Sequence, residues 1–248
     1  RRFPGGLRML MLPRARPHAL PVLKSQLRDT GLHRCPVLLS PDRPDPGLAQ
    51  AGAVPLISPL WVAELDLTTA SRSGLHQKWR NRLRHGERRK LRITRSPLTP
   101  WLLGVDARQQ RQRGYRGWPE PLLRAYTKAN PGKSVQFTAH SGNTPVAALL
   151  LLRHGTGATY QIGHSTDLGR QLSAHNLLMW NAITWLSGKG CQRLDLGTID
   201  TETNPGLARF KLGTGALARP LGGSWLWWPP LGRALAPVTR WDRALMSG

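Results

Sequence analysis

The clearest hydrophobic pattern in the chain consists of three short apolar runs separated by polar turns. The runs cover 134–140, 145–153 and 159–164, and the turns at 141–143 and 154–157 contain Gly, Asn and Ser or Thr. Short β-prone runs joined by such turns are typical of antiparallel hairpins. The pattern therefore predicts a three-stranded meander.

The period of the apolar positions changes after the meander. From about 172 to 187 they recur as on the buried face of a helix, which Gly188 and Gly190 end. A strand over 192–196, a short helix over 205–212 and a strand over 223–228 are predicted to follow.

The first half is less regular. It predicts a helix over 18–30 that stops at Gly31, strands over 36–40, 54–57 and 91–94, and a basic helix over 74–90. In that helix Leu75, Trp79 and Leu83 form a narrow apolar stripe at i, i+4 and i+8. Gly86 is expected to loosen or end it.

The charge balance points to a polyanionic partner. The chain of 248 residues has 36 Lys and Arg against 13 Asp and Glu, a net charge of +23 that both halves share. Nucleic acid is the leading candidate, ahead of anionic lipid or a nucleotide-linked precursor.

The basic helix carries the densest charge. Like charges at i and i+4 destabilise an isolated helix, so phosphate binding and a merely solvated face both remain open for it. The candidate nucleic-acid-binding residues are Lys78, Arg80, Arg82, Arg84, Arg88, Arg89, Lys90 and Arg92, with Arg113 and Arg116 further on.

Several classes of protein are disfavoured. Two cysteines, Cys35 and Cys191, cannot form a disulfide framework, and no apolar run approaches the roughly 20 residues of a membrane helix. Cys191 is expected to be a core residue. The eight His lack ligand spacing, so no metal site is expected, and the predicted location is cytoplasmic.

A domain boundary is predicted between residues 98 and 99. The segment 99–121 contains Pro, Gly and a basic run at 108–116, which favours a linker at its start. This divides the chain into 1–98 and 99–248.

Four motifs in fixed order carry a family resemblance that covers roughly residues 70–228. They are Tyr160-x-x-Gly163, a helix ending in Gly190-Cys191, Asp195-Leu196-Gly197, and the Phe-Lys-x-Gly-x-Gly element from Phe210 to Gly215. With the predicted order of elements, they resemble the FemAB-like branch of the acetyltransferase-like (GNAT) superfamily. That branch includes the Fem peptidyltransferases, which use aminoacyl-tRNA.

The resemblance implies a fold and an activity. The fold would be α/β (α+β), with tandem GNAT-like domains whose mixed, mostly antiparallel sheets are flanked by helices. Residues 1–98 would be a degenerate copy and 99–248 the transferase domain. The activity would move an amino acid from aminoacyl-tRNA to an amine acceptor, with no further cofactor. The acceptor could be a peptidoglycan precursor, a peptide, a protein or a small molecule.

The same resemblance assigns candidate catalytic residues. Lys211 matches a Fem lysine implied in stabilising the transition state beside the tRNA end; otherwise it is a surface lysine on a short helix. Asp195 could orient or deprotonate the acceptor amine, or it could cap the following turn. Asp200 and Glu202, in the next loop, are weaker candidates.

Candidate substrate-binding residues surround these two. Tyr160 could donate a hydrogen bond or simply pack, and His175 with Asn176 could meet a ligand phosphate at a helix start. His164 and Phe210 complete the set. Of the ten Trp, we expect five to pack in the core, and Trp118 is the better base-stacking candidate. The five are Trp180, Trp185, Trp225, Trp227 and Trp228.

The donor follows from one motif. CoA-dependent members carry a Gln/Arg-x-x-Gly-x-Gly/Ala turn, whose backbone N–H groups cradle a pyrophosphate. Counted from Arg170, Ser173 and His175 stand at its glycine positions. This favours aminoacyl-tRNA over acetyl-CoA or acyl-CoA. An acyl-CoA-dependent N-acyltransferase and a non-catalytic RNA-binding protein remain the alternatives.

Overall fold

The computed structural model describes residues 8–15, 20–231 and 234, which form two compact units. The described residues up to Trp61, together with those from Arg219 onwards, make up unit 1, and Val62–Ala218 make up unit 2. Across the described part of the chain no helix is both long and apolar enough to cross a membrane.

Unit 1 contains a four-stranded sheet in the order β1-β2-β11-β3. β1 is parallel to β2, while β11 is antiparallel to both β2 and β3. Leu39 of β2 and Trp227 of β11 are buried in its core together with Leu48 of α2. The elements are β1 (Leu10–Ala15), α1 (Leu20–Asp29), β2 (Val37–Pro41), α2 (Gly47–Gln50), β3 (Val54–Ile57) and β11 (Ser224–Trp227).

A buried ion cluster closes one end of this sheet. Asp42 directly follows β2, and its Oδ1 accepts hydrogen bonds from Arg14 at 3.0 Å and Arg219 at 3.1 Å. Burial alone would raise the pKa of Asp42, but these hydrogen bonds and charges outweigh it and lower the pKa to about 2.

Unit 2 is built on a seven-stranded sheet in the order β10-β4-β9-β8-β7-β6-β5. The β8–β9 pair is parallel, and the β4–β9, β5–β6, β6–β7 and β7–β8 pairs are antiparallel. Its strands are β4 (Trp61–Asp66), β5 (Leu91–Ser96), β6 (Ser134–Ser141), β7 (Thr144–His154), β8 (Gly157–Ser165), β9 (Arg193–Thr198) and β10 (Leu217–Pro220). Its helices are α3 (Gln77–Glu87), α4 (Pro100–Arg113), α5 (Glu120–Ala129), α6 (Asp167–Gln171), α7 (Ala174–Gly188) and α8 (Pro205–Leu212).

Helices cover both faces of this sheet. Trp79 and Leu83 of α3 share the larger core with α7, whereas Leu102 of α4 and Leu123 of α5 bury the opposite face. The central strand β7 is therefore apolar on both sides, which explains its unbroken run of hydrophobic residues. The predicted fold class, α/β with mixed sheets flanked by helices, is confirmed.

The segment 99–121 is largely helical rather than a linker. Thr99 caps α4 by accepting a hydrogen bond from the Leu102 N–H at 3.3 Å, Pro100 occupies the first turn, and Gly114 ends the helix with φ 69°. Pro is favoured at such a helix start and Gly just past a helix end. The residues taken for a boundary are thus the two caps of one helix.

The compact units also divide the chain elsewhere than at residue 98. β4 pairs with β9 and β5 pairs with β6, so the elements just before residue 98 belong to the second sheet. The final strand β11, expected in the transferase domain, pairs instead with β2 and β3. Both departures from the predicted division result from strands that pair with partners distant in sequence.

Gly86 lies in the last turn of the basic helix, which ends at Glu87. A Cβ there would lie 3.0 Å from the Ser173 carbonyl oxygen and 3.3 Å from the Leu177 side chain. Its missing side chain therefore lets α3 approach the start of α7 closely. The apolar stripe of Leu75, Trp79 and Leu83 is buried as predicted.

Candidate functional site

The candidate site is a cleft that opens where β8 and β9 part. Their parallel pairing covers three residue pairs and ends at Thr159 opposite Asp195, although both strands continue beyond that point. A cavity of about 650 Å³ lies between the continuing ends, lined by Tyr160 and Gly163 on one side and Leu196 and Thr198 on the other.

A second chamber of about 490 Å³ adjoins the first. The two chambers share Gln109, Arg113, Tyr160, Gly163, Asn204 and Leu207 in their walls. The first turn of α7 contributes His175 and Asn176 to the second chamber only. The cleft is thus one space with two ends, large enough for two substrates.

The Tyr160-x-x-Gly163 motif is explained by a bulge in β8. Leu151 pairs with Tyr160 and Leu150 with Ile162, so Gln161 is the extra residue. The bulge brings Tyr160 and Gly163 onto the same face of the sheet. A Cβ on Gly163 would lie only 1.6 Å from the Tyr160 hydroxyl oxygen, so Gly163 provides the space for that hydroxyl.

Tyr160 and His175 form a buried neutral pair. The Tyr160 hydroxyl and His175 Nε2 are 2.8 Å apart and hydrogen-bonded. Burial raises the pKa of Tyr160 well above its ordinary range. Burial likewise lowers the pKa of His175 to about 4, with a backbone contact to His164 opposing the shift and the charge of His164 adding to it.

Phe210 connects this pair to the basic helix. Its ring lies 5.2 Å from the imidazole of His175 and 6.1 Å from the ring of Trp79, centroid to centroid. The Trp79 indole N–H donates to the Phe210 carbonyl oxygen at 3.1 Å. A Cβ on Gly213 would meet the Trp79 ring at 2.6 Å, so this motif glycine serves close packing against α3.

Lys211 is the buried cation of the cleft. Only 6% of its surface is exposed, and its Nζ donates to the Thr198 carbonyl oxygen at 2.7 Å. Among the residues that the structure describes, no carboxylate forms an ion pair with it. Burial lowers the pKa of Lys211 to about 8, and the charge of Asp195 partly opposes the shift.

Asp195 lies behind the cleft rather than in its lining. Its Oδ1 accepts a hydrogen bond from the Gly197 N–H at 2.7 Å. Gly197 has φ 81°, which favours glycine. The Asp-Leu-Gly motif thus forms a tight turn near the end of β9. This geometry corresponds to the capping role of Asp195 rather than to a direct contact with the acceptor amine.

One wall of the cleft comes from the helix that sequence reasoning missed. Gln109 on α4 donates from Nε2 to the Gly163 carbonyl oxygen at 3.1 Å and to the Tyr115 hydroxyl at 2.9 Å. Tyr115 in turn donates to the buried carboxylate of Asp106 at 3.2 Å. The missed signal was a cluster of polar residues at helical spacing after a Thr-Pro start.

The structure brings most of the predicted substrate residues together. The lining of the two chambers includes the predicted residues Arg82, Arg113, Arg116, Tyr160, His164, His175, Asn176, Phe210 and Lys211, and also the unpredicted Arg170. Five of these side chains are Lys or Arg, against the single carboxylate of Asp200, which hydrogen-bonds Thr203 in its own loop. The cleft is therefore strongly cationic.

Most of the basic helix stays outside the cleft. Apart from Arg82, the predicted basic residues of this helix and of the segment after it lie outside the cleft. Arg80 is half-buried, and the others are exposed: Lys78, Arg84, Arg88, Arg89, Lys90 and Arg92. No three His, Cys, Asp or Glu side chains within the described ranges are grouped as a metal site would require.

The turn before α7 differs from a pyrophosphate cradle. Ser173 is buried with φ 55°, a left-handed conformation that is uncommon for a residue with a side chain. His175 fills the position of the second motif glycine with an imidazole fixed between Tyr160 and Phe210. Two positions that are glycine or alanine in the CoA-binding motif thus carry larger side chains in this turn.

The splayed parallel pair, the helix after the meander and the cleft define an acyltransferase of the GNAT class. Residues 70–212, more than half of the chain, match the family model described as an acetyltransferase (GNAT) domain. The chain therefore belongs to the GNAT family, as its motifs predicted.

Three solved structures illustrate the likeness in fold. FemX has a TM-score of 0.70 at 12% identity, covering 90% of this chain and 80% of its own. L-PGS from Bacillus licheniformis has a TM-score of 0.59 at 14% identity, and the match covers 94% of this chain and 82% of that protein. The C-terminal DUF2156 domain of a candidate lysylphosphatidylglycerol synthetase from Agrobacterium fabrum has a TM-score of 0.52 at 15% identity. That match covers 93% of this chain and 75% of the domain.

At these identities the likeness concerns the fold, and that of FemX fits the FemAB-like branch named from the motifs. No curated protein matches the sequence itself.

Proposed function

We propose that this protein transfers an aminoacyl group from charged tRNA to an amine acceptor. The observation that carries the proposal is a cleft with five cationic side chains and one carboxylate, centred on the buried Lys211. Such a cleft suits two anionic substrates, a nucleic-acid end and a charged acceptor.

The reaction needs positive charge more than it needs a nucleophile. An aminoacyl ester is already activated, so the acceptor amine attacks its carbonyl carbon directly. The C–N bond forms, the tetrahedral oxyanion collapses, and the C–O bond to the terminal ribose of the tRNA breaks. The amine proton passes to the departing ribose oxygen, so that an amide and a free tRNA hydroxyl result.

Lys211 is suited to stabilise the oxyanion of that intermediate. With a pKa of about 8 it is mostly protonated at neutral pH, and the Thr198 carbonyl fixes its ammonium group. A preorganised cation in a water-poor cleft acts most strongly where negative charge develops. Asp195 would contribute indirectly, because its charge favours the protonated lysine.

Tyr160 and His175 are suited to hold a substrate without accepting a proton. Both are uncharged at neutral pH because of the direction of their pKa shifts. Tyr160 lines both chambers, which places it beside either substrate. Arg113, shared by both chambers, and Arg116 would bind anionic groups.

The geometry around His175 favours a tRNA donor over CoA. A CoA pyrophosphate needs open backbone N–H groups before α7, whereas here the buried imidazole of His175 fills that place. Binding a tRNA acceptor arm depends mainly on phosphate contacts and shape, for which Arg82 and the outer face of α3 are suited.

The test is a transfer assay with three donors. Purified protein is incubated with total aminoacylated tRNA, with acetyl-CoA, or with neither. The acceptor panel contains a peptidoglycan precursor and a peptide with free amines. Phosphatidylglycerol, a lipid with hydroxyl groups but no amine, is included in view of the Agrobacterium neighbour's name, and transfer to it alone would contradict the amine acceptor. We expect transfer from charged tRNA only; transfer from acetyl-CoA alone would replace the proposal by the acyl-CoA alternative.

A matched pair of variants separates enzyme from RNA-binding protein. Lys211→Ala removes the buried cation, whereas Lys128→Ala removes an exposed lysine of α5 outside both chambers. Loss of transfer in the first variant only, with tRNA affinity retained, supports catalysis. Tight tRNA binding by the wild-type protein without transfer to any acceptor would support the non-catalytic alternative.

A further inference from the structure

Another cavity, separate from the two chambers of the cleft, lies on the outer side of α7. It has a volume of about 550 Å³, and its walls come from α3, α7 and the strands β5 and β6. Its lining contains two indole rings, from Trp180 and Trp185, and two guanidinium groups, from Arg72 and Arg95. We refer to this cavity as the tryptophan groove.

Each indole of the tryptophan groove faces an arginine. The guanidinium carbon of Arg72 lies 5.7 Å from the ring centroid of Trp180, and that of Arg95 lies 5.8 Å from the centroid of Trp185. Both indoles are half-buried rather than enclosed in the core. Both pack against the core of unit 2, as predicted from the sequence, and each also lines the cavity.

We propose that the tryptophan groove binds an unpaired base of the RNA partner, stacked on Trp180. The proposal rests on the aminoacyl-tRNA function proposed above. Every base has a π-face, so an indole platform with cations beside it accepts single-stranded RNA without reading its sequence. Trp180 is the platform because a single arginine, Arg72, lies over its ring and would make way for the base. Trp185 is contacted by Arg95, by Arg153 at 5.5 Å and by the ring of Phe137 at 5.7 Å.

The groove continues the path of a strand that leaves the cleft. Asn176 lines the cleft and Trp180 lines the groove, one helical turn further along the same stripe of α7. On the neighbouring α3, Arg82 lines the cleft and Glu87 the groove. A single strand whose end lies in the cleft would therefore meet Trp180 within about 6 Å of Asn176.

The charge around the groove fits a polyanion. Arg72 forms an ion pair with Glu87, so one cation of the groove is balanced. Arg95 is exposed and forms no ion pair with a carboxylate among the described residues. An exposed arginine next to an indole suits a phosphate beside a stacked base.

Two RNA hairpins test the proposal. One carries a short single-stranded 3′ tail, the other ends in a blunt duplex, and neither is aminoacylated. Their affinity for the full chain is measured by fluorescence anisotropy at several salt concentrations. Trp180→Leu should weaken binding of the tailed hairpin about tenfold and leave the blunt hairpin unchanged.

Two further variants keep the test decisive if Trp180→Leu folds poorly. Trp180→Phe retains an aromatic face and should preserve most of the affinity for the tailed hairpin. Arg95→Ala, an exposed change, should reduce the salt slope of its binding by about one. Trp61→Leu removes an exposed indole outside the groove and should have no effect.

The proposal is overturned if Trp180→Leu binds the tailed hairpin as tightly as the wild-type protein does. It is equally overturned if the variant loses affinity for both hairpins alike, because Trp180 would then act on the fold or on duplex contacts. Failure of aminoacyl transfer by the wild-type protein would refute the proposed function instead, and the hairpin affinities would be unaffected by that result.

Discussion

Unit 1 and unit 2 each contain a buried charged side chain, Asp42 and Lys211, and the two lie in opposite electrostatic surroundings. In unit 1 the carboxylate of Asp42 is met by two guanidinium groups, those of Arg14 and Arg219. In unit 2 the ammonium of Lys211 is met by one backbone carbonyl, and no carboxylate pairs with it within the described part of the chain. The respective pKa shifts favour the charged form of Asp42 and disfavour that of Lys211.

The difference separates a structural charge from one available for chemistry. A buried charge with partners stabilises the fold, because removing it leaves those partners uncompensated. A buried charge without partners costs stability, and folded proteins keep such groups mostly at functional sites. The comparison can be tested by changing each charge in turn.

The largest expected effect follows from Lys211→Met, which keeps the length of the side chain. Turnover should fall about 10²–10³-fold, as expected when one preorganised oxyanion donor is lost. The same change should stabilise the protein at pH 7 by about 1–3 kcal/mol, because the desolvated charge disappears while one hydrogen bond is lost. Aminoacyl transfer and urea unfolding measure the two effects.

The gain in stability should depend on pH. The pKa of Lys211 is about 8 in the folded protein, against 10.5 ordinarily. Between these values the unfolded chain binds the extra proton, so the stability of the wild-type protein rises by about 3 kcal/mol across that window. The advantage of Lys211→Met should therefore shrink between pH 8 and 10.5. A constant difference would contradict the shifted pKa.

The second effect concerns unit 1. Asp42→Asn should destabilise it by about 3 kcal/mol, because Arg14 and Arg219 lose their common partner in a largely buried place. Hydrogen exchange followed by mass spectrometry should show faster exchange in β2 and β11, with β7 unchanged. Faster exchange throughout the chain would mean that the two units unfold together.

A third effect is the acid response of the wild-type protein. The pKa of Asp42 is about 2 when folded, against 3.8 ordinarily, so its contribution is present above pH 4 and lost as pH falls towards 2. The loss should amount to about 2 kcal/mol. The unfolding free energy of Asp42→Asn should not show this loss as the pH is lowered, so the variant is the matched control.

The smallest effect should come from Asp195→Asn. The amide oxygen can still accept the Gly197 N–H, so the turn is kept, but the charge that favours protonated Lys211 is removed. Transfer should be retained near pH 7, and its decline at alkaline pH should begin at lower pH. Complete loss of transfer at every pH would instead indicate direct proton transfer by Asp195.

Local patterns were sufficient to predict much of unit 2. The meander, the helix after it and α8 were found because each has one clear period, and β3 and α8 have the predicted limits. Lys211 and Tyr160 were found through motifs whose glycines mark close packing. α4 was missed because Pro100 and Gly114, its first-turn residue and its cap, resemble loop residues in sequence.

Long-range pairing could not be predicted from local patterns. The alternation of Trp225 and Trp227 indicates a strand, but nothing in it says that the partners are β2 and β3. The half-buried state of Trp180 likewise depends on how closely α3 approaches α7, which Gly86 permits. Neighbours distant in sequence set both outcomes.

The bulge at Gln161 acts like a shift of reading frame within the sheet. Side chains alternate between the two faces of a strand, so one extra residue exchanges the faces of everything that follows. A one-residue insertion between Ile162 and Gly163 would keep β8 paired with β7 but place Gly163 on the other face, away from the hydroxyl of Tyr160. An insertion too small to change the fold could thus abolish this site.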